Sequence, residues 1–198
     1  MSNNSLKPLI GITGGIGSGK SLICRIFSCL GIPIFNTDEE AKKIIHQDVQ
    51  VKKAIIELLG PEAFDANGVY QNTFVRTKIL QNPNLRQGLN QIVHPAVRAK
   101  AFEFQKNLKE KIPFGIYESA LLNQQNKPEF ISKIILVQSD KNSKIERLKE
   151  RNLTMEEIEK MMIIQDGSNL GFDYFINNKS GDKILPQVLN LYLQILES

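Results

Sequence analysis

The residues best suited to chemistry lie near the start of the chain. Gly14-Gly15-Ile16-Gly17-Ser18-Gly19-Lys20-Ser21 fits G-x-x-x-x-G-K-[ST], the phosphate-binding P-loop. The glycines let successive backbone N–H groups turn inward around an anion, and the following helix adds the positive end of its dipole. Phosphate binding is therefore expected at Gly15, Ile16, Gly17, Ser18, Gly19, Lys20, Ser21 and Leu22. Lys20 is placed to reach the outer phosphates, and the Ser21 hydroxyl to ligate Mg²⁺. Phosphoryl transfer to an alcohol needs that cradle, a metal ion, cations on the migrating group and a base for the attacking hydroxyl. Asp38 is the natural base, although the same residue or Thr37 is equally suited to cap a helix. Glu118 is placed to orient the metal shell, or is an ordinary strand end. Arg147 and Arg151 are four apart and share one helix face, either over the polyphosphate or as a solvated charged face beside Glu146 and Glu150. His94, before Pro95, reads as a structural residue at a helix boundary.

These groups must be positioned by alternating strands and helices. Leu9–Thr13 is an apolar run that reads as a buried strand, and Lys20–Leu30 as a helix ended by Gly31. Ile32–Phe35 is a second strand, with Asn36-Thr37-Asp38 at its end. Helical spacing dominates from there to about residue 111, punctuated by Gly60-Pro61, Asn67-Gly68, Asn82-Pro83 and His94-Pro95. Strands return at residues 112–117, 131–137 and 174–176, the last followed by Asn177-Asn178. Helices are expected over residues 144–151, from Thr154 with a Thr-x-x-Glu capping box, and over 184–196. The fold class is α/β, a doubly wound parallel sheet of about five strands with a helical insertion and a lid. The expected division is a core of about 8–40, 112–140 and 170–198, an acceptor subdomain of about 41–111, and a lid of about 141–169. In such a sheet, ligands bind at the C-terminal ends of the strands, which here carry the P-loop, Asp38, Glu118 and Asn177-Asn178.

Composition narrows the class. The 198 residues carry 25 basic and 21 acidic side chains, net +4, with no dense basic run, so a nucleic-acid partner is not expected. No apolar run approaches membrane-spanning length, and residues 1–5 lack a signal-peptide pattern, which points to a cytoplasmic protein. Cys24 and Cys29, five apart on a helix, face different ways and are expected to be buried reduced thiols.

Taken together, the residues resemble the dephospho-CoA kinase family over about residues 8–198. The resemblance rests on Gly11-Ile12-Thr13 leading into the P-loop, Leu30-Gly31, Thr37-Asp38 with the Asp eighteen residues after Lys20, and His94-Pro95. It continues through Glu118-Ser119-Ala120-Leu121-Leu122, Arg147 and Arg151, Gln165, and Asp173 ahead of Asn178. The resemblance implies ATP and Mg²⁺ as cofactors and transfer of the γ-phosphoryl group to the ribose 3′-hydroxyl of dephospho-CoA. It matches Asp38 to the general base and Arg147 and Arg151 to lid arginines, and puts His94 in the acceptor-side domain; Asp38, Lys20, Arg147 and Arg151 are expected to be catalytic, and Asp38, His94 and Glu118 to bind the acceptor. Several positions depart from the family pattern. Asn36-Thr37-Asp38 stands for Asp-Ala-Asp, Lys42 for Arg, Leu22 for a second hydroxyl, and Asn123-Gln124 for Phe-Glu. The segment from Gln165 to Asp173 is short. A kinase for another small alcohol shares the core chemistry and is the nearest rival. A GTP-binding switch is the rival of another class: Asp65-Ala66-Asn67-Gly68 mimics D-x-x-G, but Asn178-Lys179-Ser180-Gly181 misses N-K-x-D because Asp182 comes one residue late.

Overall fold

Strand β1 (Leu9–Thr13) is buried at all five positions, as a strand covered on both faces must be. The structure is a computed structural model that describes residues 6–150, 153–164 and 171–197. The other strands are β2 (Ile34–Asn36), β3 (Gly115–Glu118), β4 (Ile131–Gln138) and β5 (Tyr174–Asn177). They form one sheet in the order β2-β3-β1-β4-β5, with every pairing parallel. From β1 the chain winds one way to reach β2 and, after β3, crosses to the other side to form β4. The winding thus reverses at β1, where doubly wound sheets bind their ligands. Register puts Ile12 and Asn36 both opposite Glu118, and Gln138 opposite Asn177, so these strands end on one rim.

Helix α1 (Lys20–Cys29) packs Ile23, Cys24 and Phe27 onto the sheet. Gly31, in the left-handed region just past it, stops the helix where the sequence places the stop. The C-terminal helix α8 (Ile184–Glu197) adds Val188, Leu191 and Ile195 to the same core, which also holds Ile10, Ile116, Ile135, Val137 and Ile176. Helix α6 (Lys141–Lys149) is capped by Asp140, whose carboxylate accepts from Ser143 N–H at 2.9 Å. It therefore starts three residues before the expected Lys144. Helix α7 (Met155–Ile164) carries the expected capping box, with Thr154 and Glu157 bonded reciprocally at 3.0–3.3 Å.

The chain divides into two compact units: residues up to Asn36 together with those from Phe104 onward, and Thr37–Glu103. The second unit is helical, with α2 (Thr37–Gln47), α3 (Val49–Leu59), a 3₁₀ turn over Pro61–Ala63, α4 (Asn72–Gln81) and the start of α5 (Pro83–Lys106). Ile55, Leu59, Ala63, Phe64 and Val75 are buried around its 3₁₀ turn.

Three expectations are corrected. Helix α2 already begins at Thr37, so Thr37 and Asp38 lie within its first turn rather than capping it. There Asp38, Glu39 and Glu40 favour the positive end of the dipole. Helix α5 runs through His94-Pro95 without a break. Pro95 removes one N–H bond, to the Gln91 carbonyl, but Leu89, Val93, Val97 and Ala101 keep the helix buried along one face on both sides of it. Cys29 is exposed, and Cys24 alone is buried.

Candidate functional site

The loop between β1 and α1 takes the form its glycines permit. Gly17 and Gly19 have φ of 74° and 93°, where an L side chain is strained. A Cβ on Gly19 would lie 2.0 Å from Asn178 Nδ2, and one on Gly17 2.9 Å from the Lys144 carbonyl. The loop is thus closed on by α6 and by the residue after β5. Ser18 N–H donates to Gly15 O at 3.1 Å, and Gly19 O accepts the first helical bonds of α1. Lys20 Nζ donates to Gly14 O at 2.7 Å, which holds its charge at the loop. The Ser18 hydroxyl is fully buried, and its oxygen has no hydrogen-bond partner among the described residues. Gly15, Ile16 and Leu22 complete the expected stretch, with Leu22 on the exposed first turn of α1.

Glu118, only 7% exposed, is the focus of the neighbouring strand ends. Its Oε2 accepts from Asn36 Nδ2 at 2.8 Å, and its Oε1 faces Ser21 Oγ at 3.4 Å. The Cys24 thiol lies behind it. Burial, and then the Glu118 carboxylate, push that thiol far above its ordinary range, so it stays protonated and unreactive. Asn36 was legible only as a departure from Asp. In the structure it is the amide that holds Glu118, a role no spacing rule could reveal across 82 positions. Ser21 and Glu118 offer hard oxygen donors, the type Mg²⁺ takes. Among the described residues no group of three His, Cys, Asp or Glu could cage a metal alone.

Arg147 donates from Nη1 to the Gly17 carbonyl at 3.0 Å and from Nη2 to the Asn178 carbonyl at 2.7 Å. Its guanidinium therefore meets the loop at carbonyl oxygens. Arg151, its expected companion, and Gln165 lie outside the described residues. In the helical unit, Asp38 is exposed on the first turn of α2, two residues beyond Asn36 in the chain, and His94 is exposed on α5. Partial desolvation, and then Arg98, hold the His94 imidazole below its ordinary value. Asp65-Ala66-Asn67-Gly68 is a turn, closed by Gly68 N–H to Asp65 O at 2.9 Å. Asp182 accepts from Lys179 N–H at 2.7 Å and closes a second local turn.

The parallel sheet and its loop define a P-loop nucleotide-binding fold. The same fold occurs in a solved structure from Thermus thermophilus (TM-score 0.81, 23% identity, 96% of this chain and 98% of that one). It also occurs in shikimate kinase from Bacteroides thetaiotaomicron (TM-score 0.51, 14% identity, 96% and 99%). The family model for dephospho-CoA kinase matches residues 8–180. A dephospho-CoA kinase of Bacteroides fragilis is 31% identical over 92% of this chain and 90% of its own length. One of Staphylococcus epidermidis is 30% identical over 96% and 95%. The chain belongs to the dephospho-CoA kinase family. No helix of the described residues is long and apolar enough to cross a membrane.

Proposed function

We propose that the chain transfers the γ-phosphoryl group of ATP to the ribose 3′-hydroxyl of dephospho-CoA, in the cytoplasm, giving CoA and ADP. The observation that carries this reading is a P-loop whose Ser21 faces the buried Glu118, in a chain matching the family model over residues 8–180. The loop N–H groups and Lys20 hold the β- and γ-phosphates. Ser21 would ligate Mg²⁺ and Glu118 would orient the ion's water, and the ion would supply charge neutralisation on the phosphates. The 3′-oxygen attacks phosphorus in line, its proton passes to the Asp38 carboxylate, and the bond from the γ-phosphorus to the bridging oxygen breaks to release ADP. Arg147 and Arg151 supply positive charge around the polyphosphate. The helical unit holds the acceptor through Asp38 and His94, Glu118 of the sheet-bearing unit is the further acceptor-binding residue, and the segment of about 141–169 serves as the lid.

The test is incubation with ATP, Mg²⁺ and dephospho-CoA, with mass spectrometry locating the added phosphate. CoA is the expected product. Phosphorylation of another alcohol from a panel of nucleosides and sugar acids, with dephospho-CoA untouched, would reject the acceptor and keep the kinase.

A further inference from the structure

Asn178 is 4% exposed and uses every polar atom it has. Its Nδ2 donates to the Ser18 carbonyl at 2.8 Å, and its Oδ1 accepts from Arg147 Nη2 at 3.2 Å. Its own carbonyl accepts from Arg147 Nη2 at 2.7 Å and from Ser139 Oγ at 2.6 Å, and its N–H donates to Gln138 O at 2.7 Å. The Ser139 hydroxyl in turn accepts from Arg147 Nη1 at 3.1 Å. The consecutive end of β4 and helix α6, together with the chain-distant residue after β5, are thus tied to two successive P-loop carbonyls, those of Gly17 and Ser18.

We propose that Asn178 is a positioning residue for phosphate binding: with Arg147 it fixes the Ser18 carbonyl and thereby aims the Gly19 N–H into the loop. The reason is covalent. The peptide between Ser18 and Gly19 is planar and trans, so its N–H points opposite its carbonyl. A glycine at the end of that peptide resists rotation less than any other residue. Left to itself, the plane could turn and withdraw a donor from the anion. Asn178 holds it by one buried bond to the carbonyl, and Arg147 seats Asn178. A loop whose donors are already aimed binds phosphate without the cost of ordering them. The carboxylate of an Asp here could not act the same way, because the Ser18 carbonyl it would face can only accept. This inference rests on the P-loop being the phosphate site.

The test compares Asn178→Asp and Asn178→Ala with Lys20→Ala as control. Affinity for a non-hydrolysable ATP analogue is measured by titration, and the Gly19 amide resonance is followed in ¹⁵N-labelled protein. Both Asn178 variants should lose affinity roughly five- to thirtyfold, the effect of one buried hydrogen bond, with the Gly19 resonance displaced. The KM for dephospho-CoA should change less than about twofold, a split that general destabilisation would not produce. The Asp variant keeps the volume, so it reports even if the Ala variant folds poorly. Wild-type affinity in Asn178→Asp overturns the proposal, because hydrogen-bond polarity would then be irrelevant. In that event, lost affinity in Lys20→Ala leaves the P-loop reading standing. Unchanged affinity in Lys20→Ala removes both.

Discussion

The sheet-bearing unit and the helical unit place their polar groups by different means. In the first, Glu118 and Asn178 are buried at strand ends and fixed by side-chain hydrogen bonds of 2.8 Å to partners 82 and 160 positions away. In the second, Asp38 and His94 stand exposed on helix surfaces. Phosphate is the same in every nucleoside triphosphate, so a rigid backbone cradle can be built around it. An acceptor is bound through its own shape, which suits side chains presented from helices. The buried groups should therefore tolerate substitution least, and the exposed ones should act on chemistry and the acceptor without disturbing the nucleotide.

Lys20→Ala should expose the contrast most sharply. Turnover should fall by at least about a thousandfold, since the phosphates lose their one loop cation. The melting temperature should stay near wild type, because a half-exposed lysine adds little to the core. Turnover within tenfold of wild type would show that the loop does not hold the reacting phosphates. Asp38→Asn removes a base while keeping size. Its kcat should drop by roughly 10²–10⁴-fold, with affinity for an ATP analogue nearly unchanged. Lost nucleotide affinity with kcat preserved would move Asp38 to the phosphate side, and the base would then be sought at Glu118.

Glu118→Gln tests the buried side more gently. The amide keeps one acceptor for Asn36 but lowers the charge facing Ser21. The Mg²⁺ concentration giving half-maximal rate should rise roughly ten- to a hundredfold, the usual effect of losing an outer-shell carboxylate. Mn²⁺ bound to the enzyme–nucleotide complex, followed by magnetic resonance, checks the same change without turnover. An unaltered metal dependence would make Glu118 a strand-end anchor only.

What could be read from the sequence follows the distance over which each feature is built. The P-loop spans eight consecutive residues and the Thr154–Glu157 box four, so both were legible from local spacing. The alternation of strands and helices carried the parallel sheet, and the strand ends it predicts put Glu118 and Asn178 on the rim where the structure has them, with the P-loop. Their partners were beyond reach, because pairing Asn36 with Glu118 depends on β2 lying beside β3 rather than beside β1. Local signals failed where packing outweighed them. Pro95 marks a break by propensity, yet burial of Val93 and Val97 carries α5 through it. Gln124, a departure from the family's Glu, donates to Asp173 at 2.9 Å, a bond that a carboxylate would not make at neutral pH.

His94 offers the smallest effect, and it separates the two units by pH. Partial desolvation, and then the Arg98 guanidinium, keep its imidazole below the ordinary 6.5 in the folded chain. As pH falls, the unfolded chain takes up the proton first. Stability contributed by the neutral imidazole is therefore complete above about 6.5 and is lost as pH drops from there through the folded value. His94→Gln removes this dependence. Between pH 7.5 and 5.5, the melting temperature of the wild type should fall slightly further than that of the variant. At pH 7.5 the variant should raise the KM for dephospho-CoA a few-fold and leave ATP-analogue affinity unchanged, the outcome the acceptor-side role proposed for His94 requires. Identical pH dependence in the two proteins would show that the imidazole is as easily protonated folded as unfolded. A weakened ATP-analogue affinity instead would break the division of labour between the units, since an exposed residue of the helical unit would then be acting on the nucleotide.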